Sequence, residues 1–430
     1  MHLLVDHGAH RNLGDAAMLE AVVRRLHRLT GGAHLYVKDC PLDLDVWGWE
    51  NVYRVRFDVP APARALAGAG LPALRGVRDR AGTWWNRACH ARLGRTLRAG
   101  RVHVRAGDDS GPLDRWGRGF DGLHVAGGGA FTDVFPSELW QRCCLVQGFA
   151  SRGKPVVLTG QQLGPVDSAV TRRSVLRTLR AASFVGLRDP TRSVRLCEAA
   201  GLPAGRFAMM GDDALGLPAA EAGRVERALA RHGVEAGSFL AVNVRVGYYA
   251  PSYARHVASL AEAARRLAEP RGLPVLVVPI ALGDLDSDIE VGRALARAVG
   301  GRARVLDASA RTAGLTKGVL GQAWAALGVS YHFCQFALEG GTPAALLYDD
   351  PYYEQKGRGL RAFWGDERLA LPIADLRRPD ALGRLAATFD DAGLRDRLRR
   401  RAAGARREWA RTFDHAVTEH LTQSVTKVAG

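Results

Sequence analysis

The sequence predicts an α/β protein with two Rossmann-like, doubly wound domains that face each other across a cleft, followed by a C-terminal helical tail. Short apolar segments alternate with turns rich in Gly or Asp and with longer segments of helical periodicity, a pattern typical of βαβ units and parallel sheets. The pattern occurs twice, on either side of a Gly- and Asp-rich segment at 211–218, and 430 residues are enough for two or three domains.

The elements follow in order along the chain. In the first half we predict strands at Leu3–Asp6, Gly122–Val125, Pro155–Thr159 and Ser183–Leu187, and helices at Ala16–Leu29, Arg172–Ala181 and Pro190–Ala200. In the second half we predict strands at Phe239–Val244, Pro274–Pro279, Arg304–Leu306 and Ala344–Tyr348, and helices at Pro251–Leu267, Ser287–Val299, Gly318–Leu327 and Phe333–Glu339. The predicted units are therefore an N-terminal domain at 1–215 with a basic insertion at 61–120, a C-terminal domain at 216–380 and helices at 381–430.

The net charge of +16 is concentrated in two segments. Residues 61–120 contain 12 Arg against 4 Asp, and residues 394–411 contain 8 Arg against 2 acidic residues, so the remaining chain is nearly neutral. This distribution disfavours a nucleic-acid-binding protein. The segment 61–120 is interpreted first as a solvated Arg-rich insertion. Its adjacent Trp84 and Trp85 also fit a surface for anionic lipid or a polyanionic acceptor, and nucleic acid is the least favoured alternative.

The location of the protein is predicted from what the sequence lacks. The N-terminus does not have the basic start and long apolar run of a signal peptide, and no apolar stretch of about 18 residues occurs. The six cysteines show no CxxC pairing, which fits a reducing compartment and gives no sign of a metal site. We expect a cytoplasmic protein that holds no metal, with peripheral contact to the inner face of the membrane through 61–120 as one option.

Turns at predicted strand ends supply the candidate site residues, because open α/β sheets bind ligands beyond the carboxyl ends of their strands. A helix start offers free N–H groups to anions, and adjacent glycines let a ligand approach the backbone closely. Helix capping is the structural alternative for the polar residues near the first helix. The residues in these turns are Asn12, Gly14, Asp15, Gly128, Gly129, Asp133 and Gln161.

Four further candidates are groups that carry or can carry positive charge. Arg188 and Arg245 each follow an apolar strand, where a buried guanidinium must be paired with a carboxylate or bind an anionic ligand. His332 precedes a helix and is either a buried structural residue or a general acid and phosphate ligand. Lys356 follows a Tyr-Tyr pair just beyond the last predicted strand of the second domain.

The order of these elements resembles the polysaccharide pyruvyl transferase family over roughly residues 3–365, without the basic insertion. The resemblance implies two Rossmann-like domains in a GT-B-like arrangement. It also implies transfer of pyruvate from phosphoenolpyruvate to sugar hydroxyls, commonly as a ketal, with release of phosphate and no further cofactor. The elements that carry it are Asn12–Asp15, Gly127–Asp133, Gly160–Pro165, Arg188 and Asp189 with Ser193 and Leu196, Asp212–Ala214, Arg245, His332, Gly341–Pro343 and Tyr352–Lys356.

The chain departs from this family pattern at Ser330, where many members have an Arg expected to hold phosphoenolpyruvate. The sequence here resembles a branch in which Tyr331 and His332 are followed by a late Tyr-Tyr pair and a lysine, so Lys356 is expected to supply the missing charge. Glu339 begins a Gly-rich turn similar to that of nucleotide-sugar glycosyltransferases, in which a glutamate holds a ribose.

These residues suggest a mechanism in which cations hold an anionic donor and two groups move protons. His332 is predicted to be the acid or phosphate partner, and Asp15 or Asp133 the base that activates a sugar hydroxyl. Two alternatives remain open: a GT-B-type glycosyltransferase that uses a nucleotide sugar, and a non-catalytic protein that binds an anionic glycan. The acceptor sugar, the ketal linkage and homo-oligomer formation are left open by the sequence.

Overall fold

A computed structural model describes residues 1–8, 11–38, 44–55, 119–246, 251–283, 287–307, 309 and 311–422. The predicted insertion at 61–120 lies outside the described residues except for its last two. The strands are β1 His2–Asp6, β2 His34–Lys38, β3 Val52–Val55, β4 Gly122–Val125, β5 Gly128–Phe131, β6 Val156–Leu163, β7 Phe184–Leu187, β8 Phe207–Met209, β9 Leu240–Asn243, β10 Val275–Val277, β11 Ala303–Val305, β12 Ala325–Gly328, β13 Ala344–Tyr348 and β14 Ala370–Pro372. The α-helices are α1 Leu13–Thr30, α2 Pro136–Ala150, α3 Ala169–Ala181, α4 Arg192–Ala199, α5 Ala222–Arg231, α6 Val257–Ala268, α7 Asp288–Val299, α8 Ala313–Leu320, α9 Tyr331–Glu339, α10 Pro351–Trp364, α11 Pro379–Phe389 and α12 Ala392–Val417.

Strands β1 to β8 form one parallel sheet in the order β3-β2-β1-β4-β6-β7-β8, with β5 paired to β6. The central strand β1 is buried from Leu3 to Asp6, which explains why Leu3, Leu4 and Val5 are consecutive rather than alternating apolar residues. The strand order reverses between β1 and β4. A crevice opens at such a switch point beyond the carboxyl ends of the strands.

Strands β9 to β14 form a second parallel sheet in the order β11-β10-β9-β12-β13-β14. This order has the same reversal, here between β9 and β12, and helices cover the strands as in a doubly wound fold. The predicted α/β class with two Rossmann-like sheets is therefore confirmed. The exact domain boundaries at 215 and 380 stay predictions.

The clearest error in the predicted elements is the helix at Gly318–Leu327. Helix α8 ends at Leu320, and the following Ala325–Gly328 is β12, a central strand between β9 and β13. An apolar, alanine-rich run is compatible with either a helix or a buried strand, so periodicity cannot separate them. In the first domain, β6 continues to Leu163, and the expected glycine turn includes the short strand β5.

The last two α-helices of the described residues, α11 and α12, form the predicted helical tail. The long helix α12 packs against α9 of the second half and returns to the first sheet. There Trp409 Nε1 donates to Asp213 Oδ1 at 2.9 Å, and the ring of Phe413 lies 5.3 Å from that of His124. Within the described ranges, no helix has the length and apolar character needed to cross a membrane.

Candidate functional site

A pocket lies between the carboxyl ends of the two parallel sheets. Its walls come from the loops and helix starts that follow β1, β5 and β7 of the first sheet and β9, β12 and β13 of the second. Both topological switch points therefore contribute to it, as expected for doubly wound sheets. The lining residues are Gly8, Asn12, Asp15, Gly128, Gly129, Ala130, Phe135, Glu138, Arg142, Arg188, Arg245, Ser330, Tyr331, His332, Tyr352, Tyr353 and Lys356.

Four helices begin at this pocket, namely α1, α2, α9 and α10. Asn12 is the N-cap of α1, and its side chain accepts a hydrogen bond from the backbone N–H of Gly14 at 2.8 Å. Asn12 rather than Asp15 is thus the capping residue, and the Asp15 carboxylate has no hydrogen-bond partner among the described residues. The positive ends of four helix dipoles favour an anion in the pocket.

Arg188 and His332 share one buried carboxylate, that of Asp212. Arg188 Nη1 donates to Asp212 Oδ2 at 2.6 Å, and His332 Nε2 lies 3.5 Å from the same oxygen. Burial alone would raise the pKa of Asp212, but the Arg188 guanidinium and the His332 ring outweigh it and hold this pKa well below its usual range. Asp212 is therefore ionised where it faces Arg188 and His332.

The other edge of the His332 ring packs against the first turn of α1. A methyl group on Gly14 would lie only 1.9 Å from Nδ1 and 2.1 Å from Cγ of His332, so the ring packs directly on the glycine backbone. With Nε2 directed at Asp212, Nδ1 is left at the helix start that lines the pocket. Gly14 thus belongs to the site because it has no side chain.

The second domain adds Arg245 and Lys356. Arg245 Nη1 lies 3.2 Å from Asp288 Oδ1, and Asp288 also accepts the backbone N–H groups of Ile280 and Ala281 at 3.0 Å each. Lys356 forms no ion pair within the described part of the chain, and its Nζ lies 4.1 Å from the ring centroid of Tyr352. Burial lowers the pKa of Lys356 to about 7, with Arg188 and Arg245 adding to the effect.

Aromatic rings form the remaining wall of the pocket. The Arg188 guanidinium lies 4.5 Å from the ring centroid of Tyr331, and the rings of Phe135 and Tyr352 meet edge to face at 5.5 Å. A methyl group on Gly129 would lie 3.0 Å from Tyr352 Oη, so the glycine strand β5 and helix α10 approach each other closely across the cleft. The predicted Gly128, Gly129 and Tyr331 therefore lie at the pocket.

Gly14 contacts His332 without lining the pocket itself, and three other predicted site residues lie outside the pocket. Asp133 Oδ2 accepts the backbone N–H groups of Asp167 and Ser168, at 2.5 and 3.0 Å, and so closes a surface loop. Gln161 lies within strand β6, where its amide donates to three backbone carbonyls. Both residues have structural partners, and of the two predicted carboxylates Asp15 lines the pocket whereas Asp133 does not.

Glu339 is the third residue outside the pocket, and it is fully buried. Its Oε2 lies 2.5 Å from Nζ of Lys317, which also donates to the carbonyls of Ala214 and Leu217. Through Lys317, this ion pair links helices α8 and α9 of the second domain to the segment containing Ala214 and Leu217, which follows the first sheet. Glu339 is therefore not directed at the cleft.

The sequence did not single out several groups that organise the site. Asp212 lay in an expected motif, but nothing indicated that it would contact both Arg188 and His332. Arg142 on α2 lines the pocket, and its Nε donates to Asp6 at the end of β1. The position of Asp6 at a strand end was an available signal, whereas Arg142 belongs to no motif. No cluster of three or more His, Cys, Asp or Glu side chains suited to a metal occurs in the described ranges.

Solved structures that are similar in fold include GT-B glycosyltransferases and epimerases. Anabaena Alr3699/HepE in complex with UDP and glucose has a TM-score of 0.55 and 11% identity, covering 98% of this chain and 99% of that chain. Arabidopsis thaliana UGT89C1 has a TM-score of 0.54 and 14% identity, covering 97% and 99%. The calicheamicin glycosyltransferase CalG4 has a TM-score of 0.52 and 15% identity, covering 100% and 99%. At these identities the likeness shows the fold alone, which confirms the GT-B-like arrangement.

Sequence comparison identifies the family. No curated protein sequence matches the chain significantly. A family model described as polysaccharide pyruvyl transferase matches residues 12–351, from the N-cap of α1 to the first residue of α10. This range contains most of the pocket residues and all the described strands except β1 and β14. The chain therefore belongs to the polysaccharide pyruvyl transferase family of transferases.

Proposed function

We propose that this protein transfers the pyruvate unit of phosphoenolpyruvate to hydroxyl groups of a sugar or glycan, as a ketal, and releases phosphate. The observation that carries the proposal is the convergence of Arg188, Arg245 and Lys356 on one pocket beside the imidazole of His332. Phosphoenolpyruvate carries a phosphate and a carboxylate, so it needs several fixed cations. Family membership supports the same reaction class.

The phosphate would be held by the three cations together with the helix starts around them. Arg188 and Arg245 are already fixed by Asp212 and Asp288, so little reorganisation is needed when an anion binds. Lys356 has no such carboxylate, and a bound phosphate would supply its counter-charge. The positive charge expected from an arginine at position 330 is provided in this way by Lys356.

His332 would be the general acid. Donation of its proton to C3 of the enol creates a cation at C2, which a sugar hydroxyl oxygen then attacks. The Asp212 carboxylate, 3.5 Å from Nε2, would orient the ring for this step. General acid catalysis of this kind contributes roughly 10²–10⁴-fold to a rate.

Asp15 would accept the proton of the attacking hydroxyl. Its carboxylate lines the pocket and lies close enough to Lys356 for its charge to act on that residue. Attack by a second hydroxyl at C2 expels phosphate. Overall, two hydroxyls each lose a proton, C3 gains one, the released phosphate takes the other, and two C–O bonds replace the C=C π bond and the C–O bond to phosphate.

Two alternative functions have less support. A nucleotide-sugar glycosyltransferase would use Glu339 to hold a ribose, but this carboxylate is buried on Lys317. A non-catalytic glycan-binding protein would have no need for the Asp212–His332 pair beside an unpartnered Asp15 carboxylate. Turnover of phosphoenolpyruvate with a sugar acceptor would exclude both alternatives.

The test is to incubate the protein with phosphoenolpyruvate and candidate sugar acceptors. Phosphate release is followed with time, and the acceptor is examined by mass spectrometry for the added pyruvate. His332→Ala should lower turnover about 10²–10⁴-fold with an unchanged circular dichroism spectrum. His415→Ala, on α12 outside the pocket, is the matched control. Binding of nucleotide sugars without phosphoenolpyruvate turnover would refute the proposal, as would turnover that survives His332→Ala.

A further inference from the structure

Arg142 is a buried arginine on α2 that the proposed reaction steps do not use. It is 4% exposed, and its Nε donates to Asp6 Oδ2 at 3.2 Å. The other oxygen of Asp6 accepts from Lys38 Nζ at 2.8 Å. Burial alone would raise the pKa of Asp6, but Lys38 and Arg142 lower it to about 2. Asp6 is therefore ionised and fixes one edge of the guanidinium.

The opposite edge of this guanidinium is available to a ligand. Its two Nη groups have no hydrogen-bond partner among the described residues, and Arg142 lines the pocket. A guanidinium has five N–H donors, of which the contact with Asp6 uses one. The remaining donors form a planar fork that fits the two oxygens of a carboxylate.

Arg142 approaches the pocket from a different side than Arg188. A methyl group on Gly128 would lie 3.7 Å from Arg142 Nη1, whereas one on Gly129 would lie 3.5 Å from Arg188 Nη2. Successive residues of a strand point in opposite directions, so the two guanidinium groups flank β5. The pocket therefore has two separate cationic ends, one at Arg142 and one formed by the other three cations.

We propose that Arg142 binds the carboxylate of the donor, while Arg188, Arg245 and Lys356 bind its phosphate; this assignment rests on the proposed function. The division follows from charge and shape. A phosphate dianion with three terminal oxygens suits the three-cation end, and a carboxylate with one charge and two oxygens suits one guanidinium fork. Phosphoenolpyruvate carries both groups on the same carbon, so one molecule can reach both ends. Arg142 is then the residue that selects an enolpyruvyl donor over other phosphate esters.

The experiment compares two ligands that differ only in the carboxylate. Dissociation constants of phosphoenolpyruvate and vinyl phosphate are measured by calorimetry for the wild type, Arg142→Gln and Arg142→Lys. We expect the wild type to bind phosphoenolpyruvate roughly 10- to 100-fold more tightly than vinyl phosphate, as for a hydrogen-bonded charge pair. Arg142→Gln should remove most of this difference and leave vinyl phosphate binding within about twofold. Arg142→Lys should restore only part of it, because lysine has no fork.

Two further variants separate the roles of the cations. Arg188→Gln should weaken both ligands by a similar factor because it removes a phosphate contact. Arg152→Gln, just beyond the end of the same helix and exposed, should change neither ligand. Equal weakening of both ligands by Arg142→Gln would overturn the assignment. Equal binding of both ligands by the wild-type protein would also overturn it, without any variant. Failure of the wild type to bind either ligand would instead refute the proposed function itself.

Discussion

Replacement of Gly14 by alanine should disable the site without unfolding the protein. Gly14 is the second residue of α1, where alanine is intrinsically more favourable than glycine by up to about 1 kcal/mol. The new methyl group would, however, lie 1.9 Å from Nδ1 of His332. An ordinary carbon contact needs about 3.5 Å, so the ring must move by roughly 1.5 Å. Displacements of about 1 Å in a catalytic group can lower a rate by about 100-fold.

The assay is phosphate release at saturating phosphoenolpyruvate and acceptor, with thermal melting measured on the same samples. We expect Gly14→Ala to lower kcat by at least about 100-fold and to approach the effect of His332→Ala. Gly383→Ala is the matched control, because Gly383 lies within α11 and a methyl group there meets nothing within 4 Å. It should keep full activity and melt at an equal or higher temperature. A Gly14→Ala enzyme with wild-type kcat would refute the role given to the position of His332.

Three further outcomes follow from the buried charges. Burial lowers the pKa of Lys356 to about 7, so binding of the anionic donor at pH 8 should be accompanied by uptake of close to one proton, measured by calorimetry in buffers of different ionisation enthalpy. Lys356→Met should abolish this uptake, and an unchanged uptake would exclude Lys356 as its source. Asp212→Asn leaves Arg188 buried without its counter-charge, so it should lower the free energy of unfolding, measured in urea, by about 3–5 kcal/mol and should also lower kcat. A variant with wild-type stability and activity would contradict the ion pair. Glu339→Gln should also destabilise the fold, because Lys317 loses its carboxylate, but it should leave the KM for phosphoenolpyruvate unchanged if Glu339 is structural.

The sequence predicted the sheets and the loops of the site better than the networks that support them. Apolar runs such as Leu3–Val5 and the turns that follow them are local features, and parallel-sheet topology brings those turns together. The polar contacts are not local. Arg188 and Asp212 are 24 residues apart, and Arg142 and Asp6 are 136 apart, so no spacing rule connects either pair.

The predicted site residues that lie outside the pocket were assigned to it for a common physical reason. Asp133 and Gln161 are polar residues near strand ends, which is also where the backbone leaves its ladder and needs side-chain partners. In both cases those partners are backbone groups of the protein itself. Glu339 sits at the end of α9, and only the packing of α8 beside it brings Lys317 within reach. Residue type and position therefore predict that such side chains are polar and fixed, but not whether a ligand or the protein fixes them.

The structure shows a role for some of the arginines that contribute to the net charge of +16. Part of the Arg-rich C-terminal helix serves to attach that helix. Arg401 Nε donates to the carbonyl of Phe363 at 2.9 Å, and Arg406 Nη2 donates to that of Glu339 at 2.8 Å. These carbonyls lie at the ends of α10 and α9, whose negative dipole ends attract cations. The basic residues of α12 therefore stabilise the two helices whose opposite ends line the pocket.

The cations of the pocket, unlike these arginines of α12, are paired with carboxylates in all but one case. Arg142, Arg188 and Arg245 are each held by a buried aspartate, which fixes the guanidinium groups and offsets part of the cost of burying their charge. Lys356 has no such aspartate. Binding of the donor should therefore depend on the three arginines for geometry and on Lys356 for net charge. It follows that substitution of Lys356 should change the pH dependence of donor affinity, whereas substitution of Arg142 should change which phosphate ester is chosen.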